Sequence, residues 1–207
     1  MTFPDKKNFK IETFLNDYSK LLHNSINSLD TKNLLSIIKF LEAAIIKKKN
    51  IFTCGNGGSS SIAEHFVCDF AKGVASNTSL VPKVYALSSN MPLFSAIAND
   101  INFDEVFSYQ LEKYGSKGDI LLCISSSGNS KNIINAINKA SKMRIKTLSL
   151  VGFNGGKVKR ISDKCIHIDV ENYGVVEDAH QSIMHMMSQY IRLKNISDLR
   201  KVNKIKF

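Results

Sequence analysis

The chain reads as an α/β protein: a parallel sheet of five strands covered by helices on both faces, with a helical hairpin ahead of it. Three observations lead there. Five short apolar runs recur along the chain, helical patterns fill the gaps between them, and residues 11–47 repeat apolar positions at helical spacing before the first run begins. Strands that alternate with helices pair in parallel, because a right-handed crossover through a helix brings the next strand back in the same direction.

In the hairpin, Phe14, Leu15, Tyr18, Leu21 and Leu22 form one apolar stripe and Leu34, Leu35, Ile38 and Leu41 another. Asp30 and Thr31 fall between them and suit the cap of a second helix. Strands are expected at 51–54, 84–87, 120–124, 147–151 and 165–168, each bounded by glycine, serine, asparagine or charge. Helices are expected at 59–71, 91–98, 104–113, 131–143 and 176–193, and "GFNGG" at 152–156 reads as a turn at the site's edge. The organisation expected is a hairpin over 1–48 packed on a core domain over 49–195, followed by a basic tail over 196–207.

A chain of 207 residues with 43% hydrophobic content can bury a substantial core. No apolar run approaches the roughly 20 residues that a membrane span needs, and the first ten residues are polar and charged, so a soluble cytoplasmic protein is expected. Net charge is +10, carried in part by Lys47, Lys48 and Lys49 and by Arg192, Lys194, Arg200, Lys201, Lys204 and Lys206. Lysine is abundant throughout, and solvated faces explain the excess better than a nucleic-acid surface does. Cys54, Cys68, Cys123 and Cys165 lack the close spacing of a zinc or redox motif and are expected to be reduced, buried core fillers.

Sites in such a sheet form where strand ends meet helix starts. "CGNGGSSSIAEHF" at 54–66 places glycines at 55, 57 and 58, then Ser59, Ser60 and Ser61, at the start of a helix. Such a loop either cradles a phosphate or simply caps a turn. It matches neither the dinucleotide fingerprint nor a P-loop, so no nucleotide cofactor is expected. "ISSSGNS" at 124–130 repeats the arrangement after another strand, with hydroxyls on Ser125, Ser126, Ser127 and Ser130. Two such loops at strand ends favour an anion site, and the absence of Gly-x-Ser-x-Gly disfavours a serine hydrolase.

His65 and Asp69 stand at i and i+4 on one helix face, while Glu177, His180 and His185 cluster on the last long helix. Two histidines and two carboxylates suit zinc or another divalent ion. Glu177 and His185 are eight positions apart, about 12 Å along an ideal helix, so sharing one ion requires converging side chains.

In order along the chain, "CGNGGSSSIAEHF", "AND" at 98–100, "ISSSGNS", "GFNGGK" and "EDAHQSIMH" resemble the sugar isomerase (SIS) domain, most closely its phosphoheptose isomerase branch. The likeness runs from the hairpin to about Leu193. It implies a flavodoxin-like three-layer domain, a homotetramer with sites at subunit interfaces, and a sugar phosphate substrate. The implied reaction converts sedoheptulose 7-phosphate to D-glycero-D-manno-heptose 7-phosphate for surface glycans such as capsule or lipopolysaccharide. Carried over to this chain, Ser125, Ser126, Ser127 and Ser130 would bind phosphate, and Asn56, Gly57, Gly58, Ser59, Asp100 and Glu177 would contact substrate. His65, Asp69, Glu177 and His185 would hold a zinc ion, with Asp69 and His185 as the acid–base pair.

The chain departs from that pattern in several places. Asp69 stands where the family usually has glutamate, Glu177 where it has glutamine, Gly174 where it has aspartate, and Ile101-Asn102 where it has an aromatic-glycine pair. The shorter Asp69 withdraws its carboxylate by one carbon, and Glu177 adds a negative charge that favours a cation. Two other functions fit the same resemblance: an isomerase of a different sugar phosphate, and a non-catalytic tetramer that binds protein partners as replication-initiation regulators do. Retention of Asp69 and His185 favours catalysis.

Overall fold

A computed structural model of the chain describes residues 10–198 together with Phe3, Pro4, Lys7 and Val202. The hairpin is α1 (Ile11–Asn27) and α2 (Thr31–Ile46). Asp30 caps α2 by accepting from the backbone N–H groups of Lys32 and Asn33. The sheet strands are β1 (Asn50–Gly55), β2 (Lys83–Ala86), β3 (Ile120–Ser125), β4 (Lys146–Val151) and β5 (Lys164–His167). All pairings are parallel, in the order β2-β1-β3-β4-β5. The three central strands, β1, β3 and β4, are buried on both faces, as in a doubly covered parallel sheet, while the edge strands β2 and β5 are partly open.

Alternation along the strands assigns each face its core. Ile51, Ile120, Leu122, Ile124, Leu148 and Leu150 join one cluster with α2, with α3 (Gly58–Cys68) and with α8 (Tyr173–Lys194). Phe52, Cys54, Leu121 and Cys123 join the other, under α4 (Met91–Asp100), α5 (Ser108–Tyr114), α6 (Lys131–Lys142) and α7 (Gly156–Ile161). The hairpin belongs to the first cluster through Ile37, Leu41 and Ile45. Glu42 on α2, almost fully buried, is tied to the end of α8 by Lys194 Nζ at 2.6 Å and Asn195 Nδ2 at 2.7 Å.

Three expectations are corrected. The helix read at 104–113 is a 3₁₀ turn (Phe103–Glu105) followed by α5, because Val106 and Phe107 at the junction are both driven fully into the core. The segment after residue 152 is more than a turn, since it continues into α7. Among the cysteines only Cys54 and Cys123 are buried; Cys68 is exposed and Cys165 half-buried. Cys68 sits on the helix between Phe66 and Phe70, which stack in the core, and so points the other way. Apart from Ile196–Asp198 and Val202, the expected basic tail lies outside the described residues, as does most of the polar start.

The strand order reverses between β2 and β3, on either side of β1, which is the topological switch point of this sheet. A crevice therefore opens outside the carboxyl ends of β1 and β3, and both serine loops flank it. α8 borders this region and runs away from it, with His180 on its inner face.

His180 is completely buried, and neither ring nitrogen forms a well-made hydrogen bond among the described residues. Burial lowers its pKa from 6.5 to about 4; the Val151 backbone offsets part of this, and the neighbouring His167 adds a smaller lowering. The unfolded chain therefore takes up this proton at higher pH than the folded one does. The stability contributed by neutral His180 is fully present above pH 6.5 and is lost as pH falls towards 4. Lowering the pH from 7 to 5 should cost about 2 kcal/mol through this group alone. Denaturant titrations at the two pH values should show a smaller pH-dependent loss in His180→Leu, and an identical loss would contradict the assignment.

Candidate active site

The first loop leaves β1 at Gly55 and turns through Gly57, whose φ of +56° is a backbone conformation that suits glycine. α3 then starts with no side-chain cap; the N–H groups of Ser59 and Ser60 donate back to the loop carbonyls of Asn56 at 3.1 Å and Gly57 at 3.0 Å, so the helix begins directly at the loop. α6 starts in the same way after the second loop: Ser130 stands at its N-cap position without making a cap hydrogen bond. Two helix N-termini thus direct positive partial charge at one space.

That space is a cavity of about 430 Å³. Asn56, Gly57, Gly58 and Ser59 line it from the first loop, Ser125, Ser126, Ser127 and Ser130 from the second, and Tyr173 and Glu177 from α8. Asn56 is fixed by a reciprocal amide pair with the buried Asn132, both contacts at 2.9 Å. The Ser126 hydroxyl is buried on the cavity wall with no hydrogen-bond partner among the described residues. An unanswered hydroxyl beside two helix N-termini is a place for an oxygen-rich anion.

The 152–156 segment props up the second loop. Gly152 N–H donates to Ser126 O at 2.9 Å, Lys157 N–H to Asn129 Oδ1 at 3.0 Å, and Val158 N–H to Gly128 O at 2.9 Å. A Cβ on Gly128 would run into the backbone of Gly155, and one on Gly156 into that of Gly128. The two turns can interlock only as glycines. A Cβ at position 58 would displace the Glu177 carboxylate from where it now lies. Desolvation, and then the adjacent Asp178, raise the pKa of Glu177 from its ordinary value. Asp178 itself accepts a hydrogen bond from Tyr18 of α1 at 2.6 Å, which ties the hairpin to the first turns of α8.

Two turns further along α3 and α8, a second group of residues assembles. Asp69 Oδ2 lies 2.8 Å from His185 Nδ1, and Asp69 Oδ1 lies 3.2 Å from His65 Nε2. The two imidazoles meet edge to face, with centroids 5.0 Å apart. Gln181 Nε2 donates to His185 Nε2 at 2.9 Å, which leaves the proton of the neutral ring on Nδ1, facing Asp69. Asp69 opens a π-helical segment, Asp69–Val74, that continues α3; such insertions widen a helix and often mark functional positions.

One ligand atom from each of His65, Asp69 and His185 falls within 4.8 Å of the others. Two imidazole nitrogens and a carboxylate oxygen, all partly open to solvent, match the donor set of a catalytic zinc site with a vacant position. Glu177, expected as a fourth member, stands outside this group and on the serine cavity instead. The eight-residue separation along α8 keeps the Glu177 carboxylate away from His185. Asp100 is exposed at the end of α4, paired with Asn99, and does not line the cavity of its own chain. Sequence reasoning missed Asn132 and Tyr173, neither of which carried a signal.

Comparison with known proteins follows the same pattern. The family model described as the SIS domain matches residues 13–152, the hairpin included. Over 177 residues the chain is 31% identical to a probable phosphoheptose isomerase of Thermoplasma volcanium, covering 86% of this chain and 90% of the relative. Over 181 residues it is 34% identical to a phosphoheptose isomerase of Helicobacter pylori strain Shi470, covering 84% and 90% respectively. Among solved structures, phosphoheptose isomerase from Neisseria gonorrhoeae matches with a TM-score of 0.79 at 26% identity, over 87% of this chain and 97% of that one.

Removing the unanswered hydroxyl separates a ligand role from a structural one. Ser126→Ala should leave the thermal midpoint unchanged or slightly raised, since a buried unpaired polar group is lost. Its KM for a sugar phosphate should rise about tenfold, the value of one hydrogen bond to a charged oxygen. An unaltered KM with a lowered midpoint would make Ser126 structural only.

Proposed function

Because the chain belongs to the SIS domain family, within its phosphoheptose isomerase branch, we propose that it interconverts sedoheptulose 7-phosphate and D-glycero-D-manno-heptose 7-phosphate. The observation that carries the reading is the joining, on two parallel helices, of a serine-lined anion cavity to a carboxylate held between two imidazoles. The product supplies heptose for surface glycans.

The serine loops and the starts of α3 and α6 hold the phosphate, with binding energy from that remote group keeping the open chain in line. A base removes one proton from C1 of the ketose. The C1–H electron pair becomes the C1=C2 bond and the carbonyl electrons move to O2, giving an enediolate. The proton is returned at C2, and proton exchange between the two oxygens leaves the aldehyde at C1. Asp69 and His185 are the acid–base pair, with His65 steadying the carboxylate.

Zinc is the metal assigned to His65, Asp69 and His185, on the strength of their donor types and mutual distances. When bound, it supplies Lewis-acid polarisation of substrate oxygens. The chain works in the cytoplasm as a homotetramer. Two observations support a multi-subunit site: Asp100 is absent from its own chain's cavity, and Leu34, Ile38, Met186, Tyr190 and Leu193 line an apolar groove between α2 and α8. Among the described residues no helix is long and apolar enough to cross a membrane.

Purified protein incubated with sedoheptulose 7-phosphate should form the aldose, and Asp69→Asn or His185→Gln should slow turnover by about 10²–10⁴-fold. Absence of product from a panel of ketose phosphates, with and without zinc, would refute the isomerase reading. Metal analysis should find about one zinc per chain by the three-ligand argument, and chelation should lower turnover until zinc is restored. Full activity in metal-free protein would remove the zinc assignment alone.

A further inference from the structure

Tyr173 lines the serine cavity without a part in the reaction proposed above. It is the first residue of α8 and is 61% exposed. Tyr173 and Glu177 stand at i and i+4, so one face of α8 presents both to the two serine loops. Glu177, the nearer of the two to His185, rests its carboxylate against Gly58. Tyr173 is twelve positions from His185, about 18 Å along an ideal helix, and so stands at the end of the cavity away from the triad.

The exposed ring is held in place by several contacts. Phe153 packs edge to face against it, with centroids 4.8 Å apart and planes at 70°. Phe153 itself has a φ of +48°, a left-handed backbone that a bulky side chain rarely adopts and that persists only where neighbours impose it. Two hydrogen bonds impose it here. The Phe153 N–H donates to Val170 O at 3.1 Å, and His167 Nε2 lies 2.7 Å from Phe153 O. On the other side of that imidazole Lys159 Nζ lies 3.0 Å from Nδ1. An ammonium can only donate, so Nδ1 accepts and the ring proton sits on Nε2, aimed at the Phe153 carbonyl. Asn172, which precedes Tyr173, is fixed at both ends of its amide: Oδ1 accepts from the Val175 N–H at 2.9 Å, and Nδ2 donates to Phe3 O at 2.9 Å. A strained brace behind a solvent-facing ring does little for the core and much for a ring that must wait in position for a ligand.

We propose that Tyr173 closes the phosphate end of the serine cavity, its ring covering the anion that the two loops hold, and that Phe153 is a positioning residue acting through that ring. The proposal rests on the isomerase reading above for the identity of the anion, a sugar's phosphate. The loops offer neutral donors and the partial charges of two helix starts, and each of these weakens where bulk water reaches it. An aromatic ring over the mouth keeps water back and brings no negative charge of its own to compete with the phosphate. Glu177, one turn nearer the triad, meets the hydroxyls of the carbon chain. Tyr173 therefore governs how tightly the phosphate is held, not how fast the proton moves.

The test uses the full-length protein, with inorganic phosphate as the probe and sedoheptulose 7-phosphate as the substrate. Tyr173→Ala should raise the Kd for phosphate and the KM for the substrate by about three- to tenfold, the range an ordinary aromatic contact spans, with kcat within about threefold. Its ligand-free thermal midpoint should barely move, since most of the residue is exposed. Tyr173→Phe keeps the ring and should recover most of the lost affinity. Phe153→Ala should weaken phosphate binding by a smaller factor, and the double variant should bind no more weakly than Tyr173→Ala alone, because the brace works through the ring. Independent losses that add in the double variant would overturn the role of Phe153; should Phe153→Ala fail to fold, the two Tyr173 variants still decide the closure. An unchanged Kd and KM in Tyr173→Ala, or a Tyr173→Phe variant as weak as Tyr173→Ala, overturns the closure. So does a loss in Tyr173→Ala that comes with a smaller particle mass by light scattering, which would make the ring a contact between copies of the chain. A wild type that shows the expected phosphate pattern yet isomerises no ketose phosphate overturns the isomerase reading and leaves the closure standing.

Discussion

The Asp69 carboxylate is the contact on which the rest of the site turns. One of its oxygens lies 2.8 Å from His185 Nδ1 and the other 3.2 Å from His65 Nε2. Those three residues come from two helices on one face of the sheet, and the carboxylate fixes their spacing. With Asp69 16% exposed and each imidazole 40% or more, the charge is shielded while the rings stay reachable. A hydrogen bond between a carboxylate and an imidazole is stronger in such surroundings than in water. A neutral residue at position 69 would leave both rings without the partner that orients them.

The anion cavity depends on a different constraint, the close approach of backbones. The second serine loop and the 152–156 turn can interlock only because Gly128 and Gly156 lack Cβ atoms, and the Glu177 carboxylate rests against Gly58. The cavity owes its character more to helix starts and one unanswered hydroxyl than to any cation among its lining residues. α8 joins the two regions, with Glu177 facing the anion cavity and His185 facing Asp69.

Much of this was legible in the residue order, and the failures have physical causes. The five strands were readable because apolar runs bounded by glycine and serine can hardly be anything else in a chain of this length. His65 and Asp69 were readable as a pair because i and i+4 share a helix face. The convergence of His185 on Asp69 was not, since no local rule connects positions 116 residues apart; only resemblance pointed to it. The same resemblance gave Glu177 two roles, metal ligand and substrate contact, and in the structure it lines the serine cavity, outside the group of His65, Asp69 and His185. The role of the 152–156 segment was hidden because backbone-to-backbone contact leaves no trace in side-chain pattern. Arg192 was first counted with the basic surface, and its burial emerged only when α8 was set against the end of the π-helical segment.

If one ligand spans both regions, a single binding event must perturb both. Titrating the protein with the non-isomerisable alcohol sedoheptitol 7-phosphate, while following the imidazole resonances of His65 and His185 and the backbone amides of Ser126 and Gly128 by NMR, measures this directly. All four residues should shift along one saturation curve with one Kd, and inorganic phosphate should move only the two amides. Amides that respond to the sugar phosphate while both imidazoles stay still, or that saturate at a different concentration, would show that the serine cavity and the triad serve different ligands.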